Sequence, residues 1–333
     1  MNSLITILPD DAKPVKELVV ISGKGGTGKT SLVASFAALA RNAVLADCDV
    51  DAADLHLLAA PHILKREPFT GGKRAGIDAS LCTGCGECED FCRFDAIHPC
   101  APAEAARATA YRIDPLACEG CGVCAWVCSA EAIQLRPVVN GEWFISDTRF
   151  GPMVHARLGA AAENSGKLVS LVRTGARQIA EERGIGLVMI DGSPGIGCPV
   201  IASLTGADVA LVVTEPTPSG LHDMERVGDL TRHFGIPTAI CINKWDLNAE
   251  MSALIEAKAL DRGMVLVGRV RYDRTITQAQ IQGKTVVEYS EGGSAADIGL
   301  VWCKLKEMLV GSELELGAGV AKKDRPSSAK PER

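Results

Sequence analysis

The stretch Gly23-Lys24-Gly25-Gly26-Thr27-Gly28-Lys29-Thr30 constrains this 333-residue chain more than any other. It fits G-x-x-x-x-G-K-S/T and lies between a short apolar run, Glu17 to Ile21, and a helical pattern from Thr30 to about Ala40. Strand, glycine-rich turn and helix are the setting that motif needs. Glycines let backbone N–H groups converge on phosphate oxygens, Lys29 adds a cation, and the Thr30 hydroxyl can ligate Mg2+. A second apolar strand, Ala43 to Ala46, ends in Asp47-Cys48-Asp49-Val50-Asp51 and completes a βαβ opening. Further strands are expected at Gly186–Ile190, Val209–Val213, Thr238–Ile242 and Met264–Val267, with a helix over Lys167–Arg183. The pattern predicts an α/β fold with a mainly parallel sheet and helices on both faces.

The cysteines interrupt that pattern. Thirteen is many for an intracellular chain of this size, and 47% hydrophobic residues supply a core that needs no disulfide staples. Nine of them fall between residues 60 and 144, eight in two runs of identical spacing. Cys82-x2-Cys85-x2-Cys88-x3-Cys92 is repeated as Cys118-x2-Cys121-x2-Cys124-x3-Cys128, offset by 36 residues. Ile77-Asp78, Gly84, Gly86 and Ala96-Ile97 recur as Ile113-Asp114, Gly120, Gly122 and Ala132-Ile133. Met1 to Val15 lacks a basic flank with an apolar core, so a reducing cytoplasm is expected, where clustered thiolates hold metal. A C-x2-C pair also suits Zn2+, but two matched four-cysteine runs argue against it.

Charge and hydropathy exclude other classes. The 35 basic and 41 acidic residues give a formal charge of -6, which disfavours nucleic acid or an anionic membrane surface as partner. The weakly charged region Gly184–Val213 is broken by Asp191, Pro194 and Asp208, so no span and no stable membrane anchor are expected. Gly317–Arg333, rich in Lys, Pro, Ser and Ala, is expected to be a disordered tail.

With Lys24 inside it, the phosphate loop resembles that of the deviant-Walker P-loop ATPases, the group of MinD, ParA, Mrp and the nitrogenase iron protein. The resemblance implies a P-loop NTPase fold in which residues Gly23 to Ser31 hold ATP and Lys29 and Lys24 act on its phosphates. It further implies that Lys24 works in trans across a nucleotide-dependent homodimer; a solvated lysine at the loop rim is the plainer alternative. Asp47 and Asp49 match the family's first acidic switch, which implies Mg2+ contact for Asp47 and orientation of the attacking water for Asp49. Asp191-Gly192-Ser193-Pro194-Gly195 resembles its second, which implies that Asp191 holds Mg2+. Each acid can instead be a loop cap, and for Asp51 and Asp54 a helix N-cap or a solvated face is expected. Asn243-Lys244-Trp245-Asp246 suits a base-reading loop, with Asn243 as the contact. As N-K-x-D it leaves ATP and GTP open, and the family favours ATP.

The doubled cysteine runs resemble the bacterial two-cluster ferredoxin, a small α+β fold in which the fourth cysteine of each run reaches the other cluster. That implies two 4Fe-4S clusters, one on Cys82, Cys85, Cys88 and Cys128, the other on Cys118, Cys121, Cys124 and Cys92. Arg93 and Ser129 replace the proline usual after the fourth cysteine. Cys100 is left as a substitute ligand or a spare thiol. Cys48, Cys241 and Cys303 are expected in the core. Cys198 is expected at a helix start, with a shared cluster between two chains as its alternative.

Together these readings predict an ATPase of residues 1–59 and 145–312, interrupted by a ferredoxin domain over 60–144 and followed by a tail over 313–333. The expected function is a nucleotide-driven dimer switch coupled to electron transfer or metallocofactor maturation, with an unidentified redox or apo-metalloprotein partner. An iron–sulfur scaffold or carrier, and a MinD-like positioning ATPase with structural or sensing clusters, are the alternatives. Two anionic clusters would add to the charge of -6 and favour a partner with a basic docking surface.

Overall fold

A computed structural model of the chain describes residues 14–100, 110–159 and 165–316. The expectations for residues 1–13 and for the tail from Gly317 fall outside them. A nine-stranded sheet in the order β11-β10-β9-β1-β8-β2-β7-β6-β3 organises the chain. Seven strands run parallel: β1 (Lys16–Ser22), β2 (Val44–Asp47), β7 (Gly151–Leu158), β8 (Leu187–Pro194), β9 (Val209–Thr214), β10 (Thr238–Asn243) and β11 (Val265–Val270). The early helices are α1 (Lys29–Ala40), α2 (Leu55–Ala59), α3 (Glu87–Asp90) and α4 (Val123–Val127). Then come α5 (Ser165–Arg183), α6 (Cys198–Leu204), α7 (Pro218–His233), α8 (Ala249–Asp261), α9 (Arg274–Ile281), α10 (Val286–Tyr289) and α11 (Ser294–Leu316).

β1 shows why the apolar runs become central strands. Leu18 and Val20 pack on one face with Leu32 and Phe36 of α1 and Val301 of α11. Val19 and Ile21 pack on the other with Val169, Val172 and Ala176 of α5. A strand covered on both faces needs apolar residues at every position. The expected strands are all present, and the sheet, as expected, carries helices on both faces. α11 runs to Leu316, past the expected boundary at residue 312.

Two long strands extend the sheet in the opposite sense. β6 (Ile133–Thr148) pairs antiparallel with β7 through Gly141–Thr148 and along its whole length with β3 (His62–Ile77). The half of the ribbon from Thr70 to Ile77 and from Ile133 to Val139 therefore projects beyond β7, with residues 78–132 at its tip. The sheet runs through residue 144, where the sequence reading ends the inserted domain. The ribbon escaped that reading because β3 is mostly exposed and contains Pro68, Gly71, Gly72 and Gly76, so it shows no clean two-residue alternation.

The tip obeys the sequence repeat. Asp78 N–H donates to the Ala132 carbonyl and Asp114 N–H to the Ala96 carbonyl, both at 2.7 Å, crossing the halves as a pseudo-twofold requires. Ile77 pairs with Ile133 in the ribbon, and Ile97 of β4 (Ile97–Pro99) with Ile113 of β5 (Tyr111–Ile113). Asp95 and Glu131 share a left-handed backbone, φ 49° and 50°, so the turns after Cys92 and Cys128 match without proline. The module's own core is small: Ala75, Cys88, Ile97 and Ile133.

Gly120 seats the module on the ribbon. At φ 63° it has a left-handed backbone, and a Cβ there would lie 2.0 Å from the Lys73 carbonyl. Its repeat partner Gly84, at φ 76°, would meet only the Ala110 methyl, at 3.1 Å. Gly84→Ala should cost roughly 1–2 kcal/mol for the backbone. Gly120→Ala adds an overpacking cost of about 1–3 kcal/mol and should melt at the lower temperature in a thermal denaturation comparison.

Candidate functional site

The parallel strands deliver their C-terminal ends to one edge, the usual place for a ligand in such a sheet. After β1 the chain turns through Gly23–Gly28 into α1. Gly28 is required there: its φ is 93°, and a Cβ would stand 2.5 Å from Asn243 Nδ2. Asn243, buried at the end of β10, donates from Nδ2 to the Thr27 carbonyl at 2.8 Å and fixes the loop from beneath.

A cleft of about 770 Å³ opens beside this loop. Gly25, Gly26, Gly28, Lys29, Thr30, Ser31, Asp49 and Asn243 line it, so most of the sequence-chosen residues converge. Lys29, 5% exposed, pairs with Asp49 at 3.7 Å. Asp47 and Asp191 sit opposite each other in the β2–β8 register and are fully buried below. The Asp47 oxygens accept from the backbone N–H groups of Asp49 at 3.2 Å and Leu55 at 3.3 Å. Neither Asp191 oxygen accepts a hydrogen bond within 3.5 Å, although the Thr30 hydroxyl lies close enough to favour its charged form. Burial pushes Asp191 up to about 6 against the pull of Lys29, and burial with the Asp191 charge holds Asp47 well above the usual carboxylate range. A buried carboxylate with open lone pairs suits a cation or the water bound to one.

Lys24 is not part of the cleft lining. Its Nζ stands 3.4 Å from Glu215 Oε2 and 3.5 Å from the Thr217 and Ser219 hydroxyls. Glu215 also pairs with Lys244 Nζ at 2.5 Å, and Lys244 N–H donates to Asn243 Oδ1 at 3.0 Å. The far wall escaped the sequence reading. Arg271, Tyr272, Asp273, Gln280 and Thr285 line it. Gln280 donates to the Ser31 hydroxyl at 2.7 Å, and Arg271 is fixed by both Asp297 oxygens. Asp273 capping Thr275 was the available signal, as an Asp directly before a helical run. Asp54 precedes α2 without a side-chain cap, and both Asp51 and Asp54 are exposed, in line with the solvated-face expectation.

The cysteines converge on two cavities at the ribbon tip. One is lined by Cys82, Cys85, Cys88 and Cys128, the other by Cys92, Cys118, Cys121 and Cys124. Ala96 N–H points at Cys92 Sγ and Ala132 N–H at Cys128 Sγ, each at 3.4 Å. Among the described residues no three His, Cys, Asp or Glu side chains close on a single metal ion. Burial, reinforced by the neighbouring thiols, pushes Cys124 up to about 11 and raises Cys88. Cys100 is half-buried and lines neither cavity. Cys48 and Cys241 are buried as expected, whereas Cys303 is exposed on α11 and so is not a core residue. Cys198 opens α6 and is exposed. No helix among the described residues is long and apolar enough to cross a membrane.

A glycine-rich phosphate loop at the C-terminal edge of a parallel sheet, above buried carboxylates, defines a P-loop nucleotide-binding domain. The chain belongs to the CobQ/CobB/MinD/ParA nucleotide binding domain family, which it matches over residues 18–286. An uncharacterized protein of Methanocaldococcus jannaschii is 33% identical over 238 residues, 70% of this chain and 80% of that protein. The cell division ATPase MinD of Pyrococcus furiosus shares the fold with a TM-score of 0.52 and 16% identity, covering 88% of this chain and 99% of its own. The septum site-determining protein MinD of Pyrococcus horikoshii OT3, complexed with Mg-ADP, has the same score and identity over 90% and 98%.

Asp191 sets a pH test. Its folded value of about 6 lies above the ordinary 3.8, so its ionisation opposes folding, increasingly from pH 4 to 6 and fully above that. Without nucleotide, Asp191→Asn should raise Tm at pH 7.5 by roughly 2–4 °C, with the gain fading at acid pH. An equal gain at both pH values contradicts this assignment.

Proposed function

We propose that this protein binds and hydrolyses ATP and couples that cycle to two 4Fe-4S clusters held at the tip of the β3–β6 ribbon. The observation that carries the reading is the composition of the two cavities. Each collects three cysteines from one run and the fourth from the other, the ligand exchange of a two-cluster ferredoxin. Burial makes Cys88 and Cys124 costly to ionise without a cation's charge, and the Cys92 and Cys128 Sγ atoms already receive backbone N–H groups that suit thiolates. Bound there, the clusters would supply one-electron storage at low potential.

In the cleft, Gly23 to Ser31 wrap the phosphates. Lys29 exchanges its Asp49 partner for phosphate oxygens and releases that carboxylate to orient water. Thr30, with Asp47 and Asp191 behind it, holds Mg2+. Asn243 stands where the base enters. ATP is preferred over GTP on the family's preference; Asp246 accepts from Tyr272 N–H at 2.7 Å through Oδ1, and both polar atoms of Asn243 are likewise engaged within the chain. Lys24 reaches the nucleotide of a second copy only by leaving Glu215, so nucleotide-dependent dimerisation involves that exchange.

Exposure of Cys85 and Cys121 favours a second reading, a carrier that hands its clusters to an apo-protein. Cluster transfer during nucleotide turnover identifies the carrier, and cluster reduction without loss identifies the redox protein. Anaerobic purification should yield about eight iron atoms per chain with matching sulfide, and the EPR spectrum of the reduced protein should change on adding Mg-ATP. Absence of iron, or zinc in its place, overturns the cluster assignment. Cys128→Ser and Cys92→Ser should each lower iron to about half by emptying opposite cavities. Lys29→Ala should abolish ATP binding in a fluorescent-nucleotide titration.

A further inference from the structure

Arg149 stands in the turn between β6 and β7, where the ribbon joins the parallel sheet. Its guanidinium spans three acceptors. Nε donates to the Leu58 carbonyl at 3.0 Å, one terminal nitrogen to Glu288 Oε1 at 2.6 Å, and the other to the Gly283 carbonyl at 3.1 Å. The group lies over the Phe150 ring, 4.4 Å from its centroid, and Phe150 is buried in one core with Leu55, Leu58 and Val286. The Thr148 hydroxyl donates to the Gly151 carbonyl and accepts from Phe150 N–H, which fixes the turn around it.

The acceptors belong to two walls of the nucleotide cleft. Leu58 lies in α2, whose first amide is bound by Asp47 and whose end leads directly into β3. Gly283 follows α9, which reaches Ser31 through Gln280. The second oxygen of Glu288 accepts from Thr285 N–H and hydroxyl, at 2.9 and 2.8 Å. Leu58, Gln280 and Thr285 all line the cleft. The Leu58 carbonyl is in the last turn of its helix and the Gly283 carbonyl just beyond the end of α9, places where a cation is well received. An exposed ion pair alone contributes little. Arg149 differs because one rigid fork engages three sites at once, a geometry a lysine cannot reproduce.

We propose that Arg149 is the positioning residue that couples the nucleotide cleft to the cysteine ribbon. By fastening both walls to the β6–β7 turn, it passes nucleotide-dependent movement of α2 and of the Gly283–Glu288 segment into β6. The ribbon is then gripped at both roots, through the α2–β3 connection and through Arg149. This rests on the reading that the cleft takes ATP.

Amide hydrogen exchange of the full chain, followed by mass spectrometry with and without Mg-ATP, tests it. In the unaltered protein ATP should slow exchange across residues 133–148 by about fivefold or more. Arg149→Ala and Arg149→Lys should bind ATP within about threefold of that protein yet lose the ribbon response. Arg157→Ala, which removes an exposed ribbon ion pair with Glu142, should keep it. Retention of the response in either Arg149 variant, or its absence from the unaltered protein despite ATP binding, overturns the coupling role. Failure of the unaltered protein to bind ATP overturns the nucleotide reading instead.

Discussion

The sixteen-residue pairing of β3 with β6 is the constraint on which the arrangement of the molecule depends. Half of it belongs to the main sheet, through β7, and half stands free. Backbone pairing makes the free half stiff enough to carry a module whose own core is four buried side chains. It also orders the two cysteine cavities. The cavity with Cys118, Cys121 and Cys124 touches Ala75, while the cavity with Cys82, Cys85 and Cys88 touches Ile77 and Ile133, further from the nucleotide edge. Ala75 and Ile77 are two residues apart on β3, about 7 Å along the strand.

The cleft is built on opposed charges that the chain balances internally. Asp47 and Asp191 are driven together by the β2–β8 register, and the sheet tolerates this because Asp47 is hydrogen-bonded by two amides. Lys29 leans on Asp49, and Lys24 with Lys244 shares Glu215. From Glu215 the contacts continue through Lys244 and Asn243 to the Thr27 carbonyl, so the loops after β9 and β10 and the phosphate loop form one network. A polyanion entering the cleft would compete with Asp49 for Lys29. The loop that carries Asp49 continues through α2 into β3 of the ribbon.

Legibility from sequence followed local chemistry. The phosphate loop was readable because glycines at left-handed positions, a lysine and a threonine at fixed spacing have few other uses. Central strands were readable because double-sided burial leaves unbroken apolar runs. The cysteine repeat was readable as a pair of matched runs, and its symmetry extends to the cross-half hydrogen bonds of Asp78 and Asp114. β3, β6 and β7 were not readable. Their faces are partly solvent-exposed or covered by distant helices, and the apolar run of β6 is only Trp143-Phe144-Ile145, between Gly141-Glu142 and Ser146-Asp147.

The sequence by itself determined the kind of sheet, the phosphate loop and the identity of the eight paired cysteines, because each is written in neighbouring residues. Tertiary structure alone decided where these parts stand. It gave Lys24 to Glu215, placed the far cleft wall on residues 271–285, and put Arg149 between two helix ends and a carboxylate. The physical reason is sequence separation. Lys24 and Glu215, or Leu58, Arg149 and Gly283, meet only after strands remote in the chain have paired, and no local pattern records that pairing.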